Sequence, residues 1–158
     1  MKKINIELKW GIFFTLMMIV WMILEKVSGL YSTHIDKHAT FTNFVSIPAI
    51  LMYVFALLEK RRKDYKGSMT YLQGFKTGLW MTLVITLLTP LTQYLTVVVI
   101  SPEFFPNMIA YTVEKGIYTP EGAEKYFSLG NYMIQSLLFA PVMGIVTTAI
   151  VAIFTRRR

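Results

Sequence analysis

Apolar residues arrive in four long runs separated by polar stretches, and each run has the length a bilayer demands. A membrane-spanning helix needs roughly 20 mostly apolar residues, because each rises about 1.5 Å and the hydrocarbon core is about 30 Å thick. The first run predicts a span over residues 9–31. It is free of charge from Trp10 to Leu24, then reaches Tyr31 through the interruption Glu25-Lys26. Trp10 and Tyr31 are amphipathic rings at opposite ends, placed as interfacial anchors. Glu25 and Lys26 are expected at the outer interface, reaching toward headgroups.

The second run predicts a span over residues 41–60 and passes into Glu59-Lys60-Arg61-Arg62-Lys63. Pro48 removes a backbone donor, so a kink is expected there. The third run, residues 72–100, carries no charged side chain from Leu79 to Ile100. Thr70-Tyr71-Leu72-Gln73 reads as a capping box at its start. Ser101-Pro102 ends it, since the residue before a proline is biased away from helical geometry. The fourth run covers residues 131–155 and stops at Arg156-Arg157-Arg158.

Between runs three and four, Ser101 to Asn131 is the one sizeable polar segment. Asn107 to Lys115 predicts a short helix, and Thr119 predicts the cap of another running to Phe127. Phe104, Phe105, Ile109, Tyr111, Tyr126 and Phe127 make the segment too apolar for a free tail. It is expected to lie on the membrane surface or to cover one end of a bundle. The fold class is therefore all-α: one transmembrane four-helix bundle over residues 1–158, with short external helices between spans three and four.

Composition agrees with the pattern. Of the 158 residues, 54% are hydrophobic and 16% charged, against about 25% charged in soluble domains. Mean hydropathy is +0.50. A net charge of +7 raises nucleic acid as a partner, but the basic residues cluster at the ends of apolar runs, which argues against it. Cysteine is absent, so disulfides, thiolate metal sites and cysteine nucleophiles are excluded.

The charges also set an orientation. Lys2, Lys3 and Lys9, the connection from Lys60 to Lys76, and the terminal arginines all fall on one side. Opposite them, Lys26 and Lys37 are balanced by Glu25 and Asp36, and Glu103, Glu114, Glu121 and Glu124 outnumber two lysines. By the positive-inside rule the basic side is cytoplasmic, so four spans put both termini there. Val27-Ser28-Gly29 resembles a cleavage site, but it lacks the usual Ala-x-Ala, so the first run is read as a retained span.

Two stretches carry a resemblance. Tyr71-Leu72-Gln73-Gly74-Phe75-Lys76-Thr77-Gly78 leads into the third span, and Ile100-Ser101-Pro102-Glu103-Phe104 leaves it. With Lys9-Trp10-Gly11 and the basic end, they are similar to a family of small four-span bacterial membrane proteins, domain of unknown function 4199. The resemblance implies four helices and a Gram-negative inner membrane, and it implies no reaction.

Candidate chemistry is sparse. His34, Asp36 and His38 are the one metal-like cluster; on a helix the two histidines share a face. A site needs a third and usually a fourth ligand, so a solvated outer loop is the simpler reading and no metal or other cofactor is expected. In the third span Gly78, Thr82, Thr86, Thr89, Gln93 and Thr96 fall on one helical stripe. In the fourth, Ala140, Gly144, Thr148 and Ala152 place a small residue at every fourth position. Small residues let helix backbones approach closely, so the two faces are expected to pack together. The competing reading is a polar path for a solute or ion, against which stands the absence of Asp, Glu or His deep in any span. Lys60, Arg61, Arg62 and Lys63 are candidate contacts for anionic lipid headgroups.

A nucleophile, a base and an orienting group cannot be assembled from these residues, so no enzymatic activity is expected. The favoured function is a non-enzymatic accessory or interaction protein of a bacterial inner membrane, partnered by lipid and by itself or other membrane proteins. The alternative is a small transporter or channel subunit with its path along the third span.

Overall fold

The computed structural model describes residues 5–157. Lys2, Lys3 and Arg158, used above for orientation, lie outside the described residues. Seven α-helices follow in order: α1 (Ile6–Val27), α2 (Ile35–Phe41), α3 (Ser46–Lys63), α4 (Tyr71–Tyr94), α5 (Phe104–Glu114), α6 (Pro120–Tyr126) and α7 (Leu129–Thr155). A 3-10 turn, Thr42–Val45, joins α2 to α3, and a π-helical turn, Leu95–Ile100, extends α4. Four helical stretches are long and apolar enough to cross a membrane: Ile6–Val27, Ile35–Lys63, Tyr71–Ile100 and Leu129–Thr155. The molecule is a multi-pass helical bundle.

Several starts and stops have local causes. At the head of α4 the Thr70 hydroxyl accepts from Gln73 N, and the Gln73 side chain accepts from Thr70 N. That reciprocal capping box satisfies two orphan donors. Thr119 caps α6 by accepting from Gly122 N, with Pro120 in the first turn, where a missing N–H costs nothing. The first span ends at Val27, four residues before its sequence-expected limit. Gly29 adopts φ +75°, a left-handed conformation that stops a helix readily in glycine.

Proline acts as its chemistry requires. Pro48 is the third residue of α3, so the carbonyl four residues earlier, on Phe44, loses its helical partner. Phe44 lies within the 3-10 turn, and the second membrane stretch changes helical form there rather than breaking. Pro90 lies inside α4, ahead of the π turn.

Two cores lie at opposite ends of the bundle. The one at the end that carries both chain termini, labelled inner after the orientation expected from the charges, gathers Tyr53, Ala56, Leu57, Met69, Met81, Ile85, Val151 and Ala152. The outer one gathers Tyr31, Val97, Phe104, Phe105, Ala123 and Phe127, with Tyr132 packed against it. The segment between spans three and four thus folds as α5 and α6 over the outer end. The α4–α7 contact is the most extensive of the helix pairs, followed by α1–α4.

Candidate functional site

The striped faces of α4 and α7 meet in the inner half of the bundle. A Cβ placed on Gly78 would collide with the Thr148 side chain, and one placed on Gly144 would collide with Thr82. One turn further in, a Cβ on Gly74 would lie 3.5 Å from the Ala152 Cβ. Gly78 and Gly144 each receive a threonine from the opposite helix and Gly74 faces an alanine, which is how small residues bring backbones close. Thr82 donates to the Gly78 carbonyl at 2.8 Å. The Tyr53 hydroxyl, 2.8 Å from Thr82 Oγ1, is therefore the donor in that pair. Met81, Leu57 and Thr148 are fully buried around this seam.

The outer half is built differently. Above the Tyr53–Thr82 bond a cavity of about 590 Å³ separates the two cores, with walls from α1, α3, α4 and α7. Thr89, Gln93, Ala140 and Gly144 from the two stripes line it. Gln135, Ser136 and Thr147 on α7, and Asn43 and Ser46 before and within α3, add further neutral polar groups. Thr89, Thr92 and Ser136 spend their hydroxyls on carbonyls of their own helices. The Gln93 and Gln135 amides make no hydrogen bond among the described residues. The stripe is thus not uniform: Gly78 and Thr82 lie in the packed seam, while Thr89 and Gln93 face the cavity. Thr86 Oγ1 and Thr148 Oγ1 are buried without a partner, and Thr96 Oγ1 donates to the Thr92 carbonyl and toward Met22 Sδ.

At the outer end Glu25 corrects the sequence reading. It does not reach for headgroups; its residue is only 4% exposed. It accepts from Trp21 Nε1 at 2.7 Å and from the Tyr31 hydroxyl at 2.6 Å. Two charge-assisted donors compensate a carboxylate that would otherwise be costly to bury. Tyr31 likewise turns inward, with its ring 4.6 Å from that of Phe104. Burial pushes its hydroxyl well above the ordinary tyrosine range, and the bond to Glu25 acts in the same direction. Lys26 does project outward, to the Ile100 carbonyl and to Glu103 at 3.7 Å. The Glu103 carboxyl is held below its ordinary range, first by its own backbone N–H and further by Ser101 and Lys26.

The histidine cluster divides. His34 precedes α2 and shares a 3.2 Å contact with Thr33 Oγ1. His38 packs edge-on against Tyr31 and Phe104, and its Nδ1 is buried without a partner. His38 is therefore part of the outer core rather than of a solvated loop. Among the described residues no three His, Cys, Asp or Glu side chains are grouped to hold a metal ion.

The basic run at the inner end is largely occupied. Lys60 bridges Glu7 at 2.8 Å and Asp64 at 2.6 Å. Arg61 donates to the Thr155 carbonyl at 2.9 Å, at the unsatisfied end of α7. Lys63, Lys9 and Trp10 all converge on Glu59. Arg62 is exposed. Sequence reasoning missed both carboxylate hubs. A signal was present for one, because Trp21 stands four residues before Glu25, on the same helical face.

Comparison with known proteins adds one finding. A family model described as "Protein of unknown function (DUF4199)" matches residues 9–157. No curated protein and no solved structure matches the chain.

Proposed function

Because the chain belongs to the DUF4199 family, whose description names no reaction, we propose a function from geometry: a non-enzymatic accessory or interaction protein of a bacterial inner membrane, with both termini cytoplasmic. The observation that carries the reading is the seam. Gly78 against Thr148 and Gly144 against Thr82 leave no room between α4 and α7 in the inner half, and the cavity lining stops at Tyr53 and Ile85. A path needs a continuous polar lumen, and a close glycine–threonine contact is a structural joint. Orientation follows from the basic inner end, where Lys9, Lys60, Arg61 and Lys63 gather. Partners are membrane lipid and a second copy or other membrane proteins.

The test pairs two measurements. The reading expects the protein in mildly solubilised native membranes to migrate in a complex larger than its 18.2 kDa monomer, and the purified chain in liposomes to pass neither ions nor small solutes. A monomer in native membranes whose solute flux disappears in Gln93→Leu would overturn it. That result would establish the second reading, a small transporter or channel subunit, which the Thr89 and Gln93 lining of the cavity favours.

A further inference from the structure

The cavity between the two cores has a composition that selects a ligand. None of the described residues lining it is charged. Its polar groups are amides and hydroxyls, and several of them, the Gln93 and Gln135 amides included, make no hydrogen bond among the described residues. An amide facing hydrocarbon without a hydrogen bond is costly, so its donors and acceptors call for water or a polar ligand group. Both glutamines lie toward the outer ends of their helices, Gln93 next to the last residue of α4 and Gln135 in the second turn of α7. Toward the floor the walls turn apolar, with Phe14, Met18 and Ile85. The size falls within the roughly 300–1,000 Å³ of small-molecule sites.

The cavity also opens sideways. Ile50 on α3, and Phe139 and Met143 on α7, line it and are at the same time 46%, 64% and 58% exposed. They are the two rims of a mouth between α3 and α7, facing the lipid rather than an aqueous phase.

We infer that this cavity is a binding site for an uncharged amphiphile, an apolar tail with a carbonyl-bearing head, that enters from the bilayer between α3 and α7. The head sits at the outer end, where the Gln93 and Gln135 amides donate to its carbonyl oxygens, and the chain lies against Phe14, Met18 and Phe139. An anionic head is rejected, because the site holds no cation to pair it and burying an unpaired charge is prohibitive. The inference goes beyond the accessory reading, which requires no ligand, and it is tested by binding rather than by flux or complex size.

Two source molecules share this chemistry, the ester head of a neutral glycerolipid and the ring carbonyls of a long-chain quinone. The experiment titrates the full chain in nanodiscs with dioleoylglycerol, with decylubiquinone and with dioleoylphosphatidic acid, following bound ligand by native mass spectrometry. Saturable binding of one of the two neutral probes is expected, and which one binds names the source. Phosphatidic acid should not compete. Gln135→Leu removes one amide at constant shape and should weaken binding about tenfold, the equivalent of about one good hydrogen bond. Ala49→Phe, at the lateral wall, should block binding while α4 and α7 stay packed. Failure of both neutral probes to saturate overturns the inference, as does equal binding of phosphatidic acid. Undiminished binding in both variants, each folded by its unchanged melting temperature, overturns it too.

Discussion

Glycine and threonine carry different consequences at neighbouring positions of one stripe. Gly144→Leu forces a branched side chain into the space Thr82 occupies, so the helices must separate and several contacts fail together. Gln93→Leu changes a residue that faces the cavity, so the fold should barely notice it. Thermal unfolding in detergent should therefore show a clear drop for Gly144→Leu and little for Gln93→Leu; equal losses would refute the assignment of the two positions. A finer contrast lies within the threonines. Thr82→Val strands the buried Tyr53 hydroxyl and should cost about 1 kcal/mol, whereas Thr148→Val removes an oxygen with no partner and should cost nothing or stabilise. Tyr31 gives a pH dependence. Its pKa is raised above the ordinary 10.0, so the folded state holds that proton longer than the unfolded state does. The contribution is complete below pH 10 and is lost as pH rises past it. Melting temperature should fall on alkalinisation in the wild type, and less steeply in Tyr31→Phe. Of these residues the stripe was legible in sequence because its steps of three and four survive any packing. The burial of Glu25 and Tyr31 was not, because a charge at the end of an apolar run ordinarily marks an interface, and the donors that hold it inside come from tertiary folding.

Among the elements, the outer pair α5 and α6 makes the sharpest prediction. Phe104, Phe105, Ala123 and Phe127 are buried together, so amide exchange across residues 107–127 in nanodiscs should be slow, as in a folded helix rather than a tail. Thr119→Ala deletes the cap on α6 and should raise exchange there, for a loss of about 1 kcal/mol. The capping box of α4, the Thr119 cap and the stop after Ile100 could all be read from the chain because each depends on residues within a few positions. The π turn Leu95–Ile100 and the start of helix at Ile35 could not. Apolar periodicity reports that a stretch is helical and is nearly blind to a change of helical pitch. The cavity escaped sequence reasoning for a different reason, since four helices far apart in the chain line it.

For the whole molecule, topology is the measurable property. Reporters fused after Lys63 should behave as cytoplasmic, and reporters near Asp36 or Gly116 as external, from the distribution of Lys and Arg. A periplasm-active fusion after Lys63 would invert the molecule and both of its ends with it. The count of four spans was legible because hydropathy depends on composition alone. The closing of the inner end was not. There Met69 and Arg157 exchange backbone hydrogen bonds at 2.8 and 2.9 Å, and Arg61 reaches the end of α7, contacts between residues far apart in the chain.

The seam between α4 and α7 also restricts how the bundle can move. Along it Gly74 meets Ala152, Gly78 meets Thr148 and Thr82 meets Gly144, so each threonine sits over a glycine of the other helix. Advance one helix by a single turn in one direction and Thr82 would collide with Thr148; advance it in the other and Gly78 would face Gly144 across a void. The pair works as a key cut for one register, which forbids the piston stroke by which some membrane proteins relay a signal from one face to the other. Any large displacement is then left to the helices outside the pair, α1 and α3, moving against a stator formed by α4 and α7.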